Sequence, residues 1–146
     1  MRIVHAVPVY APAWQFGGPV LSVSRLCEAL ARSGHEVRVI TTNAGITLPE
    51  DSLGKPMMRN GVEVTYFPKD QNKRIIYSSA LEALLPEVLI GADICHLSEI
   101  EQTLHVLSRV SQCLKVNMRG VQESGFVRSD DVCCSQYFTQ LTLFHG

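Results

Sequence analysis

Three groups of residues in this chain have types and spacing that could do chemistry. The first is Trp14, Phe16, Gly17, Gly18 and Pro19, within V-Y-A-P-A-W-Q-F-G-G-P-V at residues 9–20. Gly tolerates positive φ and Pro suits the start of a helix, so this stretch turns sharply and then enters a helix. A helix start offers unpaired N–H groups and about half a positive charge, which suits a phosphate, although a glycine pair can also simply turn a corner. Trp14 and Phe16 either offer aromatic faces to a sugar or apolar group, or fold back over the core. The second group is His96 and Ser98, beside Glu99 and Glu101. A His near carboxylates can serve as a general base, and a buried His satisfied by the backbone is the alternative. The third is Arg119-Gly120, where the guanidinium could clamp a phosphate or carboxylate, or lie on the surface. Neither the dinucleotide pattern G-x-G-x-x-G nor the P-loop pattern occurs, and the five histidines have no metal-ligand spacing, so no metal site is expected.

The elements that must position these residues follow from periodicity. Arg2 to Pro8 is a β-branched run typical of a strand buried on both faces. Pro19 to Ser33 has helical spacing, with Val20, Val23, Cys27, Leu30 and Ala31 on one stripe and Ser24, Glu28 and Arg32 away from it. Gly34 stops that helix, and Glu36 to Thr42 is a second strand, parallel to the first by the crossover rule. Asn43 to Asn60, with two Pro and two Gly, reads as a long loop, and Gly61 to Pro68 alternates like a strand. Ser78 or Ser79 could cap a helix through Leu85, with Glu82 completing a capping box from Ser79, and Pro86 should kink or split it. Ala92 to Ser98 reads as a strand, Glu101 to Cys113 as a helix and Leu114 to Met118 as another strand. Beyond Arg119 no clean period remains, although Asp130 or Asp131 could cap a short final helix.

This order implies an α/β parallel sheet, in which ligands bind outside the carboxyl ends of the strands. Four loops qualify: Val9 to Gly18, Thr41 to Ala44, His96 to Ile100 and Met118 to Gln122. The length suits one domain, with 46% hydrophobic and 18% charged residues. A net charge of −1 gives no basic excess for nucleic acid, and no apolar run reaches the ~18 residues that span a bilayer. Five cysteines, Cys27, Cys95, Cys113, Cys133 and Cys134, form no C-x-x-C pair and suit reduced thiols in the cytoplasm.

The residues also match a known pattern. M-R-I-V-H-A-V-P-V-Y-A-P-A-W-Q-F-G-G-P-V, followed by L-x-x-A-L-A-R-S-G-H-E-V-R-V-I-T-T-N-A, resembles the N-terminal half of GT-B glycosyltransferases of the family 4 type. The resemblance is dense over Met1 to Ala44 and specific in combining Y-x-P-x-W, G-G-P and G-H-E-V. It continues through G-V-E-V-T-Y-F-P and G-A-D-I-C-H-L-S to M-R-G at Met118 to Gly120, which is similar to the family's S-P-R-G.

The resemblance implies a Rossmann-like three-layer sheet, the N-terminal half of a GT-B architecture. It implies a retaining, metal-independent transfer of a sugar from a nucleotide-sugar donor to a glycan or lipid-linked acceptor, as in polysaccharide biosynthesis. Gly17 and Gly18 would approach the donor diphosphate, and Tyr10, Trp14, His96, Ser98 and Arg119 would line the acceptor side. Residues 1–120 would be the acceptor-side domain and 121–146 a divergent tail that could be helical. The chain departs from the family pattern after Ser98, where E-I-E-Q-T replaces the usual Gly and aromatics, and the donor-binding half with its E-x7-E region is not present. The expectation is therefore a truncated transferase domain, cytoplasmic with scope for peripheral membrane contact, inactive unless a separate C-terminal half joins it. The alternative is a non-catalytic remnant or α/β interaction module without turnover.

Overall fold

The computed structural model describes residues 1–71, 76–89, 91–98 and 140–144. Among these residues six strands form one sheet: β1 (Arg2–Ala6), β2 (Glu36–Thr42), β3 (Pro56–Arg59), β4 (Val62–Phe67), β5 (Ile94–Ser98) and β6 (Gln140–Phe144). Their order across the sheet is β3-β4-β2-β1-β5-β6. The central four, β4, β2, β1 and β5, are mutually parallel, with His5 in register with Val39 on one side and His96 on the other.

Helices α1 (Gly18–Arg32) and α2 (Ser79–Leu89) pack on opposite faces. Alternation along the strands sorts the side chains between them. Val4, Ala6 and Ile40 meet Leu81, Leu85 and Val88 of α2 on one face. Val37, Val39, Val62 and Val64 form a cluster on the other with Val23, Cys27, Leu30 and Ala31 of α1. Each fully buried Val contributes about 1.5–3 kcal/mol. The arrangement is the expected Rossmann-like three-layer α/β sandwich.

Several local expectations are corrected. The sheet is not wholly parallel, because β3 runs antiparallel to β4 and β6 antiparallel to β5. Residues 43–60 are not all loop: β3 turns into β4 through Asn60 and Gly61, both at positive φ (50° and 80°). Asn-Gly is the pair that a two-residue hairpin turn favours, because both central residues need that region. In the tail, residues 140–144 are strand rather than helix, and they join the same sheet.

Ser24 is not on the outer face of α1. It is buried, and its hydroxyl donates to the Val20 carbonyl at 2.6 Å, which lets a small polar side chain sit within the apolar stripe. Pro86 does not split α2, which continues to Leu89. Proline removes one main-chain bond from the ladder, while packing of Val88 against the sheet holds the last turn. The expected helix Glu101 to Cys113, strand Leu114 to Met118 and cap at Asp130 or Asp131 lie outside the described residues.

Candidate functional site

The carboxyl ends of β1 and β2 lead into a loop region with several fixed points. After Ala6, the Val7 N–H donates to the Ile40 carbonyl at 3.0 Å. The Thr42 hydroxyl donates to the Pro8 carbonyl at 2.7 Å and accepts from the Ala44 N–H at 3.2 Å. Further on, the phenol of Tyr66 on β4 donates to the Ala11 carbonyl. Trp14–Phe16 then forms one 3-10 turn, and Gly17 N–H closes it on the Trp14 carbonyl at 3.0 Å. The loop is thus tied to β2 and β4 before it reaches the glycines.

Gly17 adopts φ 80°, ψ −144°, a region that is essentially restricted to glycine. It precedes α1, whose first turn has Pro19, no side-chain cap and no acidic residue. The N–H groups of Gly18 and Val20 have no acceptor among the described residues. A Cβ built at either Gly17 or Gly18 would meet none of the described residues within 4 Å. The positive end of α1 therefore lies at the carboxyl side of the sheet with no described residue in front of it, the electrostatics that suit an anion.

The aromatic residues divide. Trp14 is 50% exposed and Phe16 39%, so neither is folded into the core. Tyr10 is only 2% exposed and belongs to the core cluster with Cys27 and Val39. Burial pushes its phenol far above the ordinary range, with Cys27 adding to the rise, and burial pushes the Cys27 thiol up to about 12. Tyr10 supports the loop from beneath, and its ring does not line the open side.

His96 stands within β5 rather than at its end, only 9% exposed, with its ring edge-on to that of His5 on β1. The two Nδ1 atoms are 3.2 Å apart. Burial, and secondarily His96, lowers the His5 pKa to about 4, which keeps this imidazole neutral. His5 Nε2 and the Thr41 hydroxyl have no hydrogen-bond partner among the described residues. Ser98 is the last residue of β5, in register with Gln140. Glu99, Glu101 and Arg119 lie outside the described residues. Among the described residues no three His, Cys, Asp or Glu side chains group as metal ligands.

At the opposite, amino end of the strands, Met1, Arg2, Gly34, Glu36, Gly91 and Asp93 line an open depression of about 360 Å³. Its charges are already engaged: Arg2 pairs with Glu36 at 3.3 Å, and the Arg2 N–H donates to Asp93 at 2.6 Å. Sequence reasoning passed over the tethers Thr42 and Tyr66. Their only signal was position, a Thr at the end of β2 and a Tyr on the inner face of β4.

A Rossmann-like domain with an uncapped helix start at the carboxyl edge of its sheet is an architecture in which open α/β sheets commonly bind ligands. Within it, residues 17–113 match the family described as Glycosyl transferase 4-like domain, more than half of the chain. The chain belongs to that family and is a glycosyltransferase-type domain. No curated protein and no solved structure matches it. No helix among the described residues is long and apolar enough to cross a membrane.

Proposed function

We propose that this chain is the acceptor-side domain of a sugar transferase that takes its donor as a nucleotide sugar. The observation that carries this reading is the open, uncapped start of α1 at Gly17 and Gly18. Two backbone N–H groups and the helix dipole there suit a donor diphosphate. The exposed rings of Trp14 and Phe16 beside it offer stacking faces to a glycan or lipid-linked acceptor. Ser98 and Arg119 complete the acceptor side in this reading, and Tyr10 and His96 support it from within. Family membership supports the reaction class.

Catalysis in this reading also needs a second domain that presents the donor and carries the E-x7-E region. Transfer proceeds with retention and without a metal. The test is to combine the 146-residue chain with a donor-binding domain that carries the E-x7-E region and to follow transfer from UDP-glucose and GDP-mannose. Transfer in the mixture, absent from either chain alone and insensitive to EDTA, is the expected result. A mixture that assembles but transfers nothing from any nucleotide sugar sinks the reading and leaves the non-catalytic module.

A further inference from the structure

Loop 43–48 packs against the glycine loop, and Gly45 meets its Trp14–Phe16 turn. Asn43 fixes this segment twice: its N–H donates to the Phe67 carbonyl at 2.9 Å, and its side-chain oxygen accepts from the Lys69 N–H at 2.8 Å. Ala44 is buried in a cluster with Val9 and Val20. Gly45 follows on this rigid base at φ +74°. Its carbonyl accepts a hydrogen bond from Gln15 Nε2 at 2.5 Å. A Cβ on Gly45 would overlap that amide nitrogen and come within 2.5 Å of Phe16 Cε2. Gly45 therefore presents a bare face on which the Trp14–Phe16 turn sits, and Phe16 is bonded directly to Gly17.

We propose that Gly45 and Gln15 are positioning residues that hold the Trp14–Phe16 turn, and through it the Gly17-Gly18 start of α1, in register with the sheet. Neither need touch a ligand. Their part in transfer rests on the proposed donor-phosphate role of Gly17 and Gly18, whereas the clamp itself can be measured without any ligand. Alanine at 45 is strained by its φ and also pushes Phe16 and Gln15 aside. Glutamate at 15 keeps the side chain's shape but aims a carboxylate oxygen at the Gly45 carbonyl, and because Gln15 is exposed the fold is spared.

Trp14 is the sole tryptophan of the chain, so its fluorescence reports this turn alone. In the full chain, Gly45→Ala and Gln15→Glu are expected to lower Trp14 anisotropy and to raise its acrylamide quenching. The ring is already half exposed, so the rise in quenching is at most about twofold. In the two-chain transfer assay with UDP-glucose and GDP-mannose, kcat should fall by about tenfold to a hundredfold, the cost of misplacing a site by about 1 Å, and KM for acceptor should rise as the Trp14 and Phe16 faces move. The urea midpoint of Gln15→Glu should stay at the wild-type value, which a merely structural role would shift. Unchanged Trp14 quenching in Gln15→Glu overturns the clamp. A loosened Trp14 with wild-type kcat overturns its positioning role. No transfer by the wild-type mixture, with Trp14 loosened in both variants, refutes the functional reading and leaves the clamp standing.

Discussion

Tyr66 on β4 holds the main-chain carbonyl of Ala11, which precedes it by 55 residues, through a buried phenol-to-carbonyl hydrogen bond. This bond fixes the loop after β1 to the third strand of the parallel core. Burial raises the Tyr66 phenol above its ordinary range, against a partial pull from Arg59, so it remains a neutral donor. Tyr66→Phe keeps the ring and leaves a buried carbonyl without its donor. The expected cost is about 1–3 kcal/mol, read as a lower urea midpoint with an unchanged m-value.

Thr42 tethers the same loop nearer its start, with one hydroxyl serving both Pro8 and Ala44. Thr42→Val is nearly isosteric and removes both bonds, for about 1–3 kcal/mol. Because both tethers hold one segment, losing either frees it in part, and the second loss then costs less. The double variant Thr42→Val/Tyr66→Phe should fall short of the sum of the singles by about 0.5 kcal/mol or more, measured as a double-mutant cycle. Strict additivity would mean that the loop is held by its own packing rather than by these bonds.

The His5–His96 contact makes stability depend on pH. The His5 pKa lies at about 4 when folded against 6.5 in its ordinary environment, because burial and then His96 disfavour its charge. Between those values the unfolded chain binds more protons, so this contribution is whole above pH 6.5. It declines as pH falls, and is gone below about pH 4. At 1.36 kcal/mol per pKa unit the loss is about 3 kcal/mol. His5→Phe should flatten that part of the stability curve, measured by urea unfolding from pH 4 to 8. The comparison is between slopes, so any fixed packing cost of phenylalanine cancels. Parallel curves for the two proteins would show that His5 does not carry the effect.

Ser78, rather than Ser79, caps α2: its Oγ accepts from the Leu81 N–H at 3.2 Å. Ser79 instead turns to Asp70, whose carboxylate also takes the Ser79 N–H at 3.3 Å, while Glu82 accepts from the Tyr77 hydroxyl. Ser78→Ala should cost about 1 kcal/mol. Ser79→Ala, on the exposed side, should stay within about 0.5 kcal/mol. Thermal melts of the two variants separate the caps directly.

That choice between two adjacent serines shows where local pattern stops. The chain from β1 through α1 to β2 is legible because two β-branched runs flank a stretch of helical period bounded by Gly17-Gly18 and Gly34. Asn60-Gly61 suits a hairpin turn, but the four residues of β3 before it alternate between exposed and half-buried and lack a buried face, so the sequence reads as loop through Asn60. In β6, Leu141 and Leu143 alternate with Thr142, a signal too short to stand without the neighbouring strand that pairs with it. At the site, the glycines and exposed aromatics announced themselves by type. The tethers did not, because Tyr66, Thr42 and Gly45 reach the loop across strands, and such contacts leave no mark in local spacing. His96 read as a strand-end residue, and only the register with His5 shows it inside the sheet.

Gly17 and Gly18 stand side by side yet should respond oppositely to alanine. Gly17 has φ 80° and ψ −144°, which an L side chain scarcely adopts, so Gly17→Ala should cost about 1–3 kcal/mol although its Cβ meets nothing. Gly18 is the first residue of α1, is not at positive φ and is equally open, so Gly18→Ala should be neutral or gain about 0.5–1 kcal/mol. In the proposed function the added methyl at 18 stands where the donor diphosphate approaches. Gly18→Ala should then raise the melting temperature while lowering transfer in the two-chain assay. A stabilised Gly18→Ala with undiminished transfer would place the donor elsewhere along the sheet's carboxyl edge.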